Sequence, residues 1–126
     1  MSQSRLALRF NLKDYRIFIG RPVLAHLKNP KYIEFLYEDD RKILAISGCE
    51  KKTSNSCAIP QKVYNDSNLK CVIYRKAFTE ALKIRLGWDD DAQYKAYGSY
   101  SPGVEMVGFD LTKATKFTWN DSSDVE

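Results

Sequence analysis

Three cysteines and one histidine are the residues of this sequence whose side chains most readily take part in catalysis or metal binding. The cysteines, Cys49, Cys57 and Cys71, are odd in number, and their spacing fits neither a disulfide framework nor a zinc knuckle. We therefore expect reduced thiols. His26 is the only histidine, so a metal cluster or a catalytic triad containing histidine would depend on that one residue. On the polar side of a short predicted helix, it is expected to be a surface residue.

The run of aspartates after Trp88 is a further candidate, because carboxylates bind divalent cations. Residues 89–91 follow a predicted helix end, where acidic side chains cap the next element or line a solvated turn, so we expect no metal. The sequence has no Gly-rich phosphate loop, no Gly-x-Ser-x-Gly elbow and no paired His and Cys spacing. We therefore expect a binding protein without a cofactor, not an enzyme.

Composition limits the class of protein before any motif is weighed. With 126 residues and 44% hydrophobic composition, the chain is long enough to form one compact domain over residues 1–126. No apolar run is long enough to span a bilayer, and residues 1–4 do not resemble the start of a secretion signal, so we expect a cytoplasmic protein with no membrane partner. The net charge of +4 permits nucleic-acid binding without requiring it.

The elements that would position functional residues begin with a strand, a short helix and a hairpin. Residues 5–10 alternate between apolar and polar side chains, which predicts a half-buried strand that pairs with a strand at 16–19. After a break at 20–22, Val23 and Leu27 are one turn apart and predict a short helix.

A β-hairpin is predicted next, and the same order then recurs later in the chain. The hairpin comprises residues 32–37 and 43–46, joined by a polar turn. The later strands and helix are predicted at 70–74, 75–86, 92–96 and 104–109, with Gly87 ending the helix and a turn within 98–103. Setting Val23 against Phe78 and Leu27 against Leu82 aligns the two helices. The sequence therefore predicts two divergent copies of one unit.

These copies define the predicted organisation of the domain. The first unit covers residues 5–46 and the second covers 69–111, separated by a linker at 47–68 that contains a possible short strand at 61–64. Residues 112–126 are predicted to form a C-terminal tail. The expected fold is mainly β with two short helices, an α+β class.

The first unit resembles a known family. Arg-Ile-Phe-Ile at 16–19, a break, a helix with Val23-x-x-x-Leu27 and a hairpin with an acidic turn are similar to the swapped-hairpin DNA-binding domain of the SpoVT/AbrB and MazE type. In that family two chains exchange hairpins to form an intertwined barrel. The resemblance implies that the tandem units build a swapped-hairpin-like barrel within one chain, with hairpin exchange between chains and homodimerisation left open.

The resemblance also implies a DNA-binding surface. The basic strand residue of the family corresponds to Arg16, and arginine can form bidentate hydrogen bonds with phosphates or guanine edges. The residues expected to contact nucleic acid are Arg5, Arg9, Arg16, Arg21, Arg75 and Lys76. The alternative for Arg16 and Arg21 is a plain solvated charge at a strand end.

Several aromatic residues could stack on bases but are expected in the core or as cross-strand partners: Tyr32, Phe35, Tyr37, Tyr94, Tyr97 and Tyr100.

Two functions follow from these observations. The first is a small AbrB-like transcriptional regulator of bacterial, phage or mobile-element origin that binds duplex DNA. The second is a phage or mobile-element inhibitor that binds a host defence protein or sequesters a small ligand. The second is favoured by Leu24 and Ala25, which stand where the family often has helix arginines, and by the acidic patches at 38–40 and 89–91.

Overall fold

Within residues 5–117, which the computed structural model describes, the chain forms nine β-strands and two α-helices. The strands are β1 (Leu6–Asn11), β2 (Arg16–Ile19), β3 (Tyr32–Glu38), β4 (Ile43–Cys49), β5 (Ser56–Ala58), β6 (Cys71–Tyr74), β7 (Gln93–Ser101), β8 (Met106–Asp110) and β9 (Thr115–Phe117). The α-helices are α1 (Arg21–His26) and α2 (Lys76–Leu86), and short 3-10 helices lie at Gln61–Tyr64 and Leu111–Lys113. The predicted mainly β class with two short helices is confirmed.

Alternating side chains give the sheet an inner and an outer face. In β1, Leu6, Leu8 and Phe10 are buried, whereas Arg9 between them is half-buried on the other face. The same period places apolar residues of the other strands inward, including Phe109 of β8, which is fully buried. The hydrophobic core therefore lies on the inner face of one curved sheet.

The strands form an antiparallel, barrel-like sheet in the order β5-β3-β4-β8-β7-β1-β2-β6, and β9 adds to β7. Early and late parts of the chain alternate along it, because β4 pairs with β8, β1 with β7 and β2 with β6. The hairpin β3–β4 is thus flanked by β5 and β8, and the pair β1–β2 is flanked by β7 and β6. Neither half of the chain can close the sheet alone.

The barrel is open at one seam, where the end strands β5 and β6 form no ladder with each other. A groove of about 440 Å³ lies between them, lined by residues that include Ser56 and Tyr74. The Arg75 guanidinium bridges this seam by donating a hydrogen bond to the Cys57 thiol sulfur. A side-chain contact thus replaces the backbone pairing that would complete the barrel.

The two helices form close to their predicted positions, and each has a clear boundary. Helix α1 follows Gly20 and has Pro22 in its first turn, where the missing backbone N–H costs no hydrogen bond. Helix α2 ends at Gly87, whose φ of +66° is the left-handed conformation that glycine adopts without steric cost. The predicted helix stop at Gly87 is confirmed.

Three predictions of local structure differ from what the structure shows. Residues 61–64 form a 3-10 helix, not a strand, because Val63 N donates to the Pro60 carbonyl and the segment satisfies its backbone locally. The strand in this linker is β5 instead, which pairs with β3.

The predicted tail is also partly ordered, since Thr115–Phe117 pairs with β7 in register with Gln93–Lys95. The remainder of that predicted tail lies outside the described residues. The predicted turn within 98–103 begins later than expected, because β7 continues to Ser101.

Candidate nucleic-acid interface

A basic groove runs across the outer face of the sheet where β7, β1 and β2 are neighbours. It encloses about 760 Å³. The register places Lys95, Arg9 and Phe18 side by side in one row across these strands, since Arg9 is opposite Phe18 on one side and Lys95 on the other. In the next row, Tyr97 is opposite Ala7. Antiparallel partners point to the same face, so the pairing itself brings these side chains together.

The charge of the groove has one sign. Five of its lining residues are cationic: Arg5, Arg9, Arg21, Lys70 and Lys95. None of the lining residues within the described part of the chain is an aspartate or glutamate. Like charges gathered in a concave surface produce a strong positive potential, which attracts polyanions and raises their rate of association. We call this surface the basic groove.

Aromatic rings alternate with the cations of the basic groove. The Arg9 guanidinium lies over the Phe18 ring, with its central carbon 4.3 Å from the ring centroid. The Arg5 guanidinium lies 4.6 Å from the centroid of the Tyr97 ring, and Lys95 Nζ is 5.9 Å from the same centroid. These cation–π contacts hold flexible side chains in defined positions on the sheet surface. Planar groups and positive charges are therefore presented together.

Gly20 lines the basic groove at the end of β2 and keeps this part of its floor free of a side chain. Its backbone N–H donates to the Ala7 carbonyl at 3.0 Å. A Cβ at this position would lie 3.1 Å from that carbonyl oxygen and 3.7 Å from the Pro22 ring. Any side chain at position 20 would therefore crowd β1 and reduce the groove.

Arg21 shapes one wall of the basic groove. Its guanidinium donates hydrogen bonds to three backbone carbonyls, those of Val63 at 2.6 Å, of Leu69 at 2.5 Å and of Asp66. Charge-assisted bonds of this kind are stronger than neutral ones. They hold the segment at 67–70, which lines the basic groove and carries Lys70. Arg21 thus acts as a positioning residue while contributing its charge.

The other three residues expected to contact nucleic acid lie outside the basic groove. Arg16 has a side chain 54% exposed and its Nε is 3.5 Å from an Asp14 carboxylate oxygen. Arg75 lies at the open seam, bonded to Cys57. Lys76 Nζ is 5.4 Å from the centroid of the Tyr15 ring. The structure brings together Arg5, Arg9 and Arg21 but not these three.

Lys70, Lys95, Phe18 and Tyr97 complete the basic groove but were not among the residues expected to contact nucleic acid. The outward position of Lys95 and Tyr97 follows from the alternation that predicted a strand there, because Tyr94 and Ala96 are buried. Their proximity to β1 depends on the pairing of strands more than 80 residues apart. Of the six aromatic residues expected in the core or as cross-strand partners, Tyr97 is 45% exposed. Tyr97 therefore lies outside the core and is a cross-strand partner, opposite Ala7 and beside Arg5.

The cysteines and the histidine show no arrangement for catalysis within residues 5–117. All three thiols are free, and burial raises the pKa of Cys71 to about 11 and also raises that of Cys49. His26 is exposed and its Nδ1 is 2.9 Å from the Pro22 carbonyl oxygen. No group of three or more His, Cys, Asp or Glu side chains in that range is placed to hold a metal ion.

The acidic patches are paired with cations of the same chain. In the turn at 38–40, Glu38 accepts from Arg41 at 2.8 Å and Asp39 accepts from Arg85 at 3.0 Å. In the run at 89–91, carboxylates accept from lysines at 2.6 Å, Asp89 from Lys116 and Asp90 from Lys83. Pairing reduces the field that these carboxylates could offer to a basic partner.

Comparisons with known proteins found no match: no family model fits the sequence, and no curated protein and no solved structure is significantly similar to the chain. Neither helix of the described residues is long and apolar enough to cross a membrane.

Proposed function

We propose that this protein binds nucleic acid through the basic groove. The observation that carries the proposal is the coincidence of five cations, two aromatic rings and no acidic side chain among the described residues of one concave surface. Such a surface matches the two general features of nucleic acids, a polyanionic backbone and planar bases. Where the bound nucleic acid is duplex DNA, the biological role is that of an AbrB-like transcriptional regulator of bacterial, phage or mobile-element origin, acting in the cytoplasm.

We further propose that the fold is a tandem, swapped-hairpin barrel of the SpoVT/AbrB type. The strand order supports this, because exchanging β1 with β5, β2 with β6, β3 with β7 and β4 with β8 reproduces every pairing along the sheet except that of β1 with β2, whose counterpart is the open seam between β5 and β6. The strands that precede the two helices pair with each other as β2 and β6, and the last strands of the two units pair as β4 and β8. Fusing two units would fix in one chain the arrangement that the family builds from two chains.

The alternative, an inhibitor of a host protein, receives less support. One of its two grounds is the pair of acidic patches as a docking site for a basic partner, and both patches are engaged by arginine or lysine side chains of this chain. A small anionic ligand remains compatible with the basic groove, and the experiments below distinguish it from a nucleic acid.

Substitution of groove arginines tests the proposal. We expect the double variant Arg5→Ala, Arg9→Ala to bind mixed-sequence DNA at least 10-fold more weakly in fluorescence anisotropy. The loss should shrink as salt rises, because each lost phosphate contact lowers the salt slope by about one. The matched control is Arg41→Ala, which removes an exposed arginine paired with Glu38 outside the groove. Folded protein that binds neither duplex nor single strands, or equal losses in both variants, would refute the proposal.

A further inference from the structure

We infer that the basic groove takes a single strand in preference to a duplex, and that its bases stack on Phe18 and Tyr97 beside Arg9 and Arg5. This inference rests on the proposed function and specifies its substrate class. The two rings lie on the same face of the sheet, on β2 and β7, with β1 between them. Each has a guanidinium within 4.6 Å of its centroid.

The spacing of the rings suits bases that are not stacked on each other. Phe18 and Tyr97 are separated by two strand spacings across the sheet and by one step of two residues along it. These steps amount to roughly 10 Å and 7 Å, so the Cα atoms from which the two rings extend are about 12 Å apart. Neighbouring bases within a duplex are only ~3.4 Å apart. Each ring would therefore stack with a different base, and these two bases would not be stacked on each other. A single strand can adopt this arrangement.

The position of the basic groove within the sheet argues against insertion of its strands into the major groove of a DNA duplex. Proteins that read DNA with strands insert a two-stranded ribbon into the major groove, which is about 12 Å wide. Here β1 and β2 are flanked on both sides by β7 and β6. Four strands span roughly 14 Å between their outer axes, before side chains are added. This face is too broad to enter the major groove.

The concave shape of the site also fits one strand. The wall at 67–70, held by Arg21, stands beside the open floor at Gly20. Lys70 on this wall and Lys95 on β7, whose Nζ is 5.9 Å from the Tyr97 ring centroid, add positive charge to this channel. Stacking platforms combined with such a charged channel are typical of proteins that bind single strands without strict sequence preference.

The first test compares strands of the same sequence. Full-length protein is titrated into labelled 12-nucleotide DNA, the matching RNA and the corresponding DNA duplex, at several salt concentrations. We expect at least one of the single strands to bind 10-fold or more tightly than the duplex, with a salt slope of about −2 to −3.5 for three to five neutralised phosphates. Equal or tighter binding to the duplex would overturn this inference and leave the proposed function standing. Absence of binding to all three would instead refute the proposed function.

The second test isolates stacking from charge. Phe18→Leu and Tyr97→Leu retain apolar volume but remove the ring, and each should weaken single-strand binding by about 5- to 150-fold, the range measured for base–aromatic stacking. Tyr97→Phe keeps the ring and should retain the affinity. The matched control is Tyr32→Leu on β3, outside the groove. Thermal melts confirm that each variant is folded. Unchanged affinity in Phe18→Leu and Tyr97→Leu would overturn the inference.

A third measurement excludes a small ligand. Mononucleotides carry the same chemical groups as one unit of the strand but are too short to reach both rings, which extend from Cα atoms about 12 Å apart. We expect them to compete with the labelled strand at least 100-fold less effectively than an unlabelled 12-mer. Competition at equal molar concentration would show that the site takes a nucleotide-sized anion, and it would overturn the inference.

Discussion

At the scale of single residues, the same side-chain type serves different purposes in different places. Arg5 and Arg9 lie over aromatic rings on the outer face of the sheet. The Arg21 guanidinium donates hydrogen bonds to three backbone carbonyls, and the Arg75 guanidinium donates one to Cys57 across the open seam. Charge and residue type alone do not separate these purposes, because they depend on what each guanidinium touches.

Cys71 provides a prediction for stability at alkaline pH. Its pKa rises from the ordinary value of 9.0 to about 11 because burial disfavours the thiolate. Below pH 9 the thiol is protonated in both states, and its contribution is fully present. Between pH 9 and 11 the unfolded chain loses the proton while the folded chain keeps it, so the free energy of unfolding falls as pH rises.

The variant Cys71→Ala should therefore lose part of this pH dependence. Urea denaturation at pH 8 should show wild type to be the more stable protein, because truncation leaves a cavity in the core. By pH 10 the difference should narrow by roughly 1 kcal/mol, as one pKa unit corresponds to about 1.4 kcal/mol. A difference that stays constant between pH 8 and 10 would contradict this account.

At the scale of elements, β7 is the strand on which both the fold and the basic groove depend. One of its edges pairs with β1, and the other pairs with β8 and then β9. Its outward face carries Lys95 and Tyr97, while its inward face contributes Tyr94 and Ala96 to the core. Displacement of β7 would therefore disturb the core and the site together.

Gly98 tests how closely β7 packs on β8. A Cβ at this position would meet the Gly108 carbonyl oxygen and would lie 2.7 Å from the Phe109 ring. Phe109 is fully buried, so neither group can move away easily. We expect Gly98→Ala to lower the free energy of unfolding by roughly 1–3 kcal/mol, as is usual for overpacking. Chemical denaturation measures this loss.

Gly108 supplies the matched control for Gly98 on the neighbouring strand. A Cβ there would have no atom within 4 Å, and its φ is not positive. Gly108→Ala should therefore change stability by no more than about 1 kcal/mol and can raise it, because alanine restricts the unfolded chain more than glycine does. Similar losses for the two variants would show that close packing is not the cause.

At the scale of the whole molecule, stability depends on the way strands of the first half of the chain pair with strands of the second half along the sheet. The first 50 residues supply β1 to β4, yet neither β1 nor β2 pairs with β3 or β4, so the two pairs of that half are joined in the sheet only through later strands. Each half alone would leave long unpaired edges and a bisected core. The chain should therefore unfold in a single cooperative transition, although its sequence contains two similar units.

Division of the chain in the exposed loop before β5 tests whether each half needs the strands of the other half to fold. Fragments 1–52 and 53–126 should each be largely unfolded by far-UV circular dichroism. Mixing them should restore the β spectrum and a 1:1 complex, because β2 pairs with β6 and β4 with β8. As a control, Val107→Asp in the second fragment should prevent assembly, since Val107 is fully buried opposite Ile46. A half that folds alone as a monomer would contradict the prediction.

The sequence by itself determined the elements and their inner faces. Local periodicity predicted the strands at 16–19 and 32–37 and the helix ending at Gly87, because side-chain alternation and turn chemistry act over a few residues. Through its family resemblance, the sequence also pointed to three of the groove residues, Arg5, Arg9 and Arg21, among six expected to contact nucleic acid. It failed at 61–64, where local backbone bonding after Pro60 outweighed an apolar pattern too short to specify a strand.

Only the tertiary structure decided which of these elements are neighbours. The row of Lys95, Arg9 and Phe18 exists because β1 pairs with β2 on one edge and with β7 on the other. Such pairing depends on closing the core between distant segments, and no local pattern records it. The same long-range choice left Arg16 and Arg75 outside the basic groove and placed Tyr97 on its surface. The basic groove is thus a product of strand order.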